Sequence, residues 1–149
     1  MSLIGKILPA DNVILDLDVS SKKKLFEEVS SFLAKRYGVA EQDVFECLFA
    51  REKLGSTGLS QGAAIPHGRT KDIKETLGVF VRSKEPLPFD APDDKPVNLF
   101  FFLLVPEKAT TQHLEVLSEI ANVFSSKESR EKLIAATEAE EALGVLASG

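Results

Sequence analysis

Two histidines, His67 and His113, are the side chains of this 149-residue chain whose ordinary pKa lies near neutrality, so any proton shuttling or imidazole nucleophile rests on them. His67 sits in the stretch GAAIPHGR, residues 62–69, between a proline and a glycine. Pro66 fixes the backbone entering the ring, and Gly68 removes a side chain beside it, so a partner surface or a phosphate can approach closely. Arg69 adds positive charge. A neutral imidazole nitrogen can attack phosphorus, and a hydrogen bond to the other ring nitrogen fixes which one is free. The resulting N–P bond is labile, so the group can leave again. The competing assignment is a structural histidine with a satisfied hydrogen bond.

His113 follows Thr110 and Thr111, either of which can cap a helix carrying Leu117, Ile120, Ala121 and Phe124 on its inner face. His113 falls on that face. A first-turn position places it near free backbone N–H groups that favour an anion, whereas the alternative is a core histidine. Arg51, seven residues after Val44 and three after Leu48, lies on the apolar side of its helix near the C-terminal end. It reads either as a helix-end arginine with a packed stem or as a planar, always-charged fork for phosphoryl oxygens.

The glycine-rich loop GSTGLSQG between these residues is not a nucleotide cradle. After Gly62 come Ala63 and Ala64, where a P-loop requires Lys then Ser or Thr, and the dinucleotide glycine spacing is missing. Gly58-Leu59-Ser60-Gln61-Gly62 does match a hydrolase nucleophile elbow, with Asp90 and His113 in the chain order of its partners. That serine esterase is the rival enzyme. An elbow lies between a strand and a helix, however, and Pro66 blocks the helix that would carry Ser60. No histidine, cysteine and carboxylate spacing suggests zinc. Asp93, Asp94, Glu138, Glu140 and Glu141 read as solvated surface.

These residues must be positioned by one domain spanning 1–149, since the length and a 44% hydrophobic fraction suit a single core. VILDLD, residues 13–18, alternates like a half-buried strand, and Ser20 or Ser21 caps a helix to about Tyr37, ended by Gly38. Leu25, Val29, Phe32 and Leu33 form its apolar face. A second helix runs from about Glu41 to Leu54, with Cys47 at a buried, unreactive position. AAIPHG is a short strand or strand end, residues 77–82 a strand, and VNLFFFLLV a wholly apolar strand that needs cover on both faces. The intervening EPLPFDAPDDKP holds four prolines and interrupts regular structure. Helices follow over 111–125, 127–136 and 138–147. A buried strand with amphipathic helices before and after it predicts a three-layer α/β/α domain with a mixed β-sheet and helices on both faces. The formal charge of −5, with scattered cations, argues against nucleic acid; the longest apolar run is too short for a membrane, and one cysteine suits a reducing cytoplasm.

REKLGSTGLSQGAAIPHGR, residues 51–69, resembles the active-site segment of the fructose- and mannitol-type enzyme IIA domains of the bacterial phosphoenolpyruvate-dependent phosphotransferase system, most of all the nitrogen-regulatory branch. LGVFVRS, PFDAPDDKPVNLFFFLLVP and HLEVLSEIA match in the same order, so the resemblance covers nearly the whole chain. It implies that His67 is the phosphorylated histidine, His113 a second active-site histidine and Arg51 an arginine associated with the site. It also implies a histidine-phosphorylated carrier protein as donor, and either regulated target proteins or a IIB cysteine as the next partner. No nucleotide, metal or other cofactor is implied at the IIA step. Many members have Gly-Asn where this chain has Ser60 and Gln61, which predicts backbone strain at Ser60.

Overall fold

The computed structural model describes residues 3–71, 73–108 and 112–148, and these build a mixed sheet between two layers of helices. In chain order the elements are α1 (Leu3–Ile7), β1 (Val13–Leu17), α2 (Lys22–Tyr37), α3 (Glu41–Leu54), β2 (Ala63–Ala64), β3 (His67–Thr70), β4 (Leu77–Leu87), β5 (Val97–Pro106), α4 (Gln112–Ser125), α5 (Lys127–Ala135) and α6 (Ala139–Ser148). The three-layer α/β fold expected from the pattern is the one observed.

β5 explains why the layers form. Its side chains alternate, so Leu99, Phe101, Leu103 and Val105 pack beneath α1, α4, α5 and α6, while Phe100, Phe102 and Leu104 pack beneath α2 and α3. A strand apolar at every position from Leu99 to Val105 has no face there to give to water. β4 lies antiparallel to β5, and β1 runs parallel to β4. On the other side of β5, β2 and then β3 run parallel to it in one continuous register, Ala63 opposite Leu99 and His67 opposite Leu103. Pro66 interrupts this edge without wasting a donor, and its carbonyl accepts from Leu103 N at 2.9 Å. His67 is thereby placed at the start of β3 by the ladder itself.

Local signals set the helix ends. Ser21 accepts from Lys24 N at 3.1 Å, and Gly38 takes the left-handed conformation, φ 73°, that ends α2. Thr110 and Thr111, expected to cap α4, lie outside the described residues. Two expectations are corrected here. β4 continues through Pro86 to Leu87, because a register shift after Arg82 removes the demand for a ladder N–H at the proline. Glu141 is exposed but not idle, since its carboxylate accepts from Thr137 and from Glu138 N at 3.2 Å and so caps α6. The Arg82 guanidinium, buried under α5, donates to the carbonyls of Leu133, Ile134 and Ala136 and pairs with Asp16 at 3.0 Å.

α3 crosses β3 at Gly68, and this gives the glycine a different reason from the one expected. A side chain there would meet Cys47 Sγ at 2.5 Å and the Cys47 carbonyl oxygen at 3.0 Å, so the missing Cβ is filled by α3 and not left open for a ligand. Cys47 itself is half-buried; its thiol donates to the Arg69 carbonyl at 2.9 Å, and burial pushes its pKa up to about 11. Gly68→Ala is expected to destabilise the protein by about 1–3 kcal/mol through overpacking, with Cys47→Ala recovering only part because the helix carbonyl remains. Urea unfolding of Gly68→Ala and of the Gly68→Ala, Cys47→Ala double variant checks this; a parental midpoint for Gly68→Ala would show that α3 is not seated on β3 as described.

Candidate active site

His67 is half-buried at the mouth of a cleft of about 300 Å³ that also presents Arg51, Arg69 and His113, with Leu114 and Leu117 as an apolar rim. Its Nδ1 lies 2.8 Å from the Ile65 carbonyl. A carbonyl only accepts, so Nδ1 carries the proton and Nε2 keeps its lone pair. The pKa is held below the ordinary 6.5: burial is the largest cause, the Ile65 carbonyl opposes it, Arg51 and His113 add to the lowering, and Glu52 works against it. The ring is therefore neutral at neutral pH, with one defined nitrogen free.

The three residues singled out by residue type and motif resemblance, His67, His113 and Arg51, line one cleft. Arg51 lines the cleft, and its Nη1 donates to the Gly55 carbonyl at 2.9 Å, closing the C-terminal end of α3 as the helix-end reading expected. His113, in the first turn of α4, is half-buried at the cleft wall. Its Nε2 lies 3.2 Å from Arg69 Nη2, while Arg69 Nη1 donates to the Glu107 carbonyl at 3.2 Å.

Ser60 does not join them. It is exposed on a separate groove beside Leu59, Gln61 and Phe124, and a turn and β2 follow it, not a helix. Asp90 points its carboxylate to Lys22 at 3.7 Å. The strain expected at Ser60 falls instead on Gln61, φ 71°, next to Gly62, φ 80°. Asp93, read from sequence as solvated surface, holds this turn: its carboxylate accepts from Gln61 N at 3.0 Å and Lys95 N at 3.2 Å. Those N–H groups, Gln61 first, hold its pKa below the usual range.

An ion pair between half-buried Lys22 and buried Glu52 also escaped the sequence. Glu52 accepts from Lys22 Nζ at 2.9 Å and from the Thr57 N–H and hydroxyl, while the Lys22 ammonium lies 4.1 Å above the Phe89 ring. Ser56 donates to the Phe89 carbonyl at 2.9 Å and accepts from Gly58 N at 3.0 Å. Together these contacts fasten the glycine-rich loop to α2, α3 and the segment before β5. One signal pointed there: Val44, Leu48 and Glu52 are spaced four apart, which puts a carboxylate on the buried stripe of α3 and requires a partner. Among the described residues, no three His, Cys, Asp or Glu side chains form a group able to hold a metal ion.

The chain and its fold resemble those of known proteins. Residues 6–149 match the family model described as "Phosphoenolpyruvate-dependent sugar phosphotransferase system, EIIA 2". A crystal structure of nitrogen regulatory protein IIA-Ntr from Neisseria meningitidis is 57% identical with a TM-score of 0.93, over 97% of this chain and 99% of that one. A nitrogen regulatory protein from Bradyrhizobium diazoefficiens is 40% identical over 97% of this chain and 94% of its own length. The crystal structure of IIA mannitol from Escherichia coli is similar at 26% identity and a TM-score of 0.79, over 94% of this chain and 99% of that one.

The lowered His67 pKa has a definite consequence for pH. The folded protein binds the His67 proton less readily than the unfolded chain, so this group's contribution to stability is complete above about 6.5 and declines as pH falls below it. The imidazole signals of His67 in an NMR titration are expected to move with a midpoint below 6.5. A midpoint at or above that value would contradict the burial and charge environment assigned to the ring.

Proposed function

The chain belongs to the EIIA 2 family of the phosphoenolpyruvate-dependent sugar phosphotransferase system, and on that premise we propose that it is a cytoplasmic histidine phosphocarrier of the nitrogen-regulatory IIA type. It accepts a phosphoryl group on His67 from a small histidine-phosphorylated carrier protein, as one IIA-type domain, and its phosphorylation state is read by target proteins. The observation that carries the reading is the 2.8 Å hydrogen bond from His67 Nδ1 to the Ile65 carbonyl. It leaves Nε2 as nucleophile in a cleft furnished with arginines. The nitrogen-regulatory assignment rests on the names and identity levels of the relatives at 57% and 40%.

In the step proposed, the His67 Nε2 lone pair forms a bond to phosphorus as the bond from phosphorus to the donor's ring nitrogen breaks. The electron pair of that bond returns to the donor imidazole. No proton moves, because His67 already carries its own on Nδ1. The ring gains positive character as it takes the phosphoryl group, and the Ile65 carbonyl accepting from Nδ1–H stabilises that charge. The phosphoryl group brings roughly −1.5 to −2 charges. The planar guanidinium of Arg51 meets its oxygens, and His113 orients the group. The apolar rim of Leu114 and Leu117 excludes water and keeps the N–P bond from hydrolysis.

Incubated with the phosphorylated donor carrier, the protein is expected to gain one phosphate that is lost in acid and survives in alkali, while His67→Ala gains none. Phosphate on His67→Ala, or an acid-stable ester at Ser60, would overturn the reading. Passage of the label to a IIB cysteine would identify a sugar-specific IIA component, the alternative that differs only in the acceptor.

Arg51→Lys keeps the charge but loses the planar fork, and it is expected to fold with a near-parental melting temperature while taking up phosphate roughly tenfold more slowly, the effect of one hydrogen bond to a charged group. Rate loss in proportion to unfolded protein would make Arg51 a closure of α3 alone.

A further inference from the structure

We infer that Arg69 is the positioning residue of the second histidine: its guanidinium fixes the His113 ring with the proton on Nδ1 and Nε2 as the acceptor. This rests on the phosphocarrier reading for its functional meaning and on geometry for its content. A guanidinium has donors and no acceptor, so Arg69 Nη2 at 3.2 Å from His113 Nε2 demands an unprotonated Nε2. A protonated Nε2 would set two N–H groups against each other. The other arm of the fork, Nη1, donates to the Glu107 carbonyl at 3.2 Å in the turn after β5. Two anchors on one rigid plane hold the guanidinium in place, which a lysine ammonium cannot reproduce.

The sheet explains why this residue can reach. His67 and Arg69 are two apart on β3, so their side chains leave the same face, and the position between them, Gly68, is turned to Cys47 on α3. His113 comes from α4, which covers the face opposite α3. One strand thus presents the phosphoryl acceptor and the group that orients the neighbouring imidazole. The Ile65 carbonyl acts on His67 Nδ1 and Arg69 acts on His113 Nε2, from opposite sides of their rings, yet each leaves the proton on Nδ1. Neither ring then brings an N–H from Nε2 into the path of phosphorus.

The test has two readouts on the full-length protein. Nitrogen-15 NMR needs no donor: parental His113 is expected to show the Nδ1–H tautomer, and Arg69→Gln a mixture of the two. An unchanged tautomer in Arg69→Gln would overturn the inference. Single-turnover phosphate uptake from the donor carrier is then compared for Arg69→Gln, Arg69→Lys, His113→Ala and the double variant. Arg69→Gln is expected to slow uptake roughly tenfold, the size of one hydrogen bond to a charged group, with partial recovery in Arg69→Lys. In the His113→Ala background the same change is expected to cost less than about twofold, because residues acting through one another do not add. Full additivity would show that Arg69 acts on its own and would also overturn the inference. Failure of the parental protein to take up any phosphate would defeat the phosphocarrier reading, and the tautomer measurement would still decide the role of Arg69.

Discussion

The hydrogen bond from His67 Nδ1 to the carbonyl of Ile65, at 2.8 Å, is the contact on which the proposed chemistry depends. It spans only two residues, but it forms because Pro66 lies between them on a sheet edge where a missing N–H costs nothing, with its own carbonyl engaged by Leu103. The same ladder that aligns Ala63 with Leu99 aligns His67 with Leu103, so the imidazole is presented at a fixed height above the central strand. Burial then keeps the ring neutral, and the hydrogen bond decides which nitrogen is free. Sheet register, a proline and one carbonyl together give the imidazole a fixed place and one free nitrogen, Nε2.

The cleft needs a second kind of support, because its loop contains two consecutive left-handed residues, Gln61 and Gly62, and the first of them has a side chain. Such a turn persists only when its surroundings over-determine it. Asp93 receives the Gln61 N–H on one side, while on the other the Lys22–Glu52 pair receives Thr57 and Ser56 ties the loop to Phe89. A buried ion pair is weak evidence for stability, yet removing one partner leaves an uncompensated charge, which makes it a strict fixture. Here it joins α2 to α3 at the end that carries Arg51. Rigidity at the cleft is thus derived from polar contacts around it as well as from the apolar layers of β5.

Much of the architecture was legible in the sequence because it depends on local period. The apolar run of β5, the stripe of α2, the Ser21 cap and the Gly38 stop each follow from near neighbours in the chain. His67, His113 and Arg51 were found by residue type and motif resemblance, and they share a cleft. What was not legible depends on contacts between distant residues: Lys22 with Glu52, Gln61 with Asp93, Arg69 with His113. Gly68 shows the limit well. Its lack of a side chain was readable, but whether a ligand or a helix fills that space depends on where α3 crosses β3, and periodicity carries no such information. α1, at five residues, was too short for a periodic signal.

The central claim is that the fold selects one nitrogen of one ring. Phosphorus-to-nitrogen coupling in an NMR spectrum of the nitrogen-15-labelled, phosphorylated protein identifies the atom that carries the group. Phosphorus on Nε2 of His67, with the Nδ1 proton still hydrogen-bonded to the Ile65 carbonyl, is the expected result. Phosphorus on Nδ1 would mean that this hydrogen bond is broken in the working protein, and the assignment of the nucleophile would be wrong.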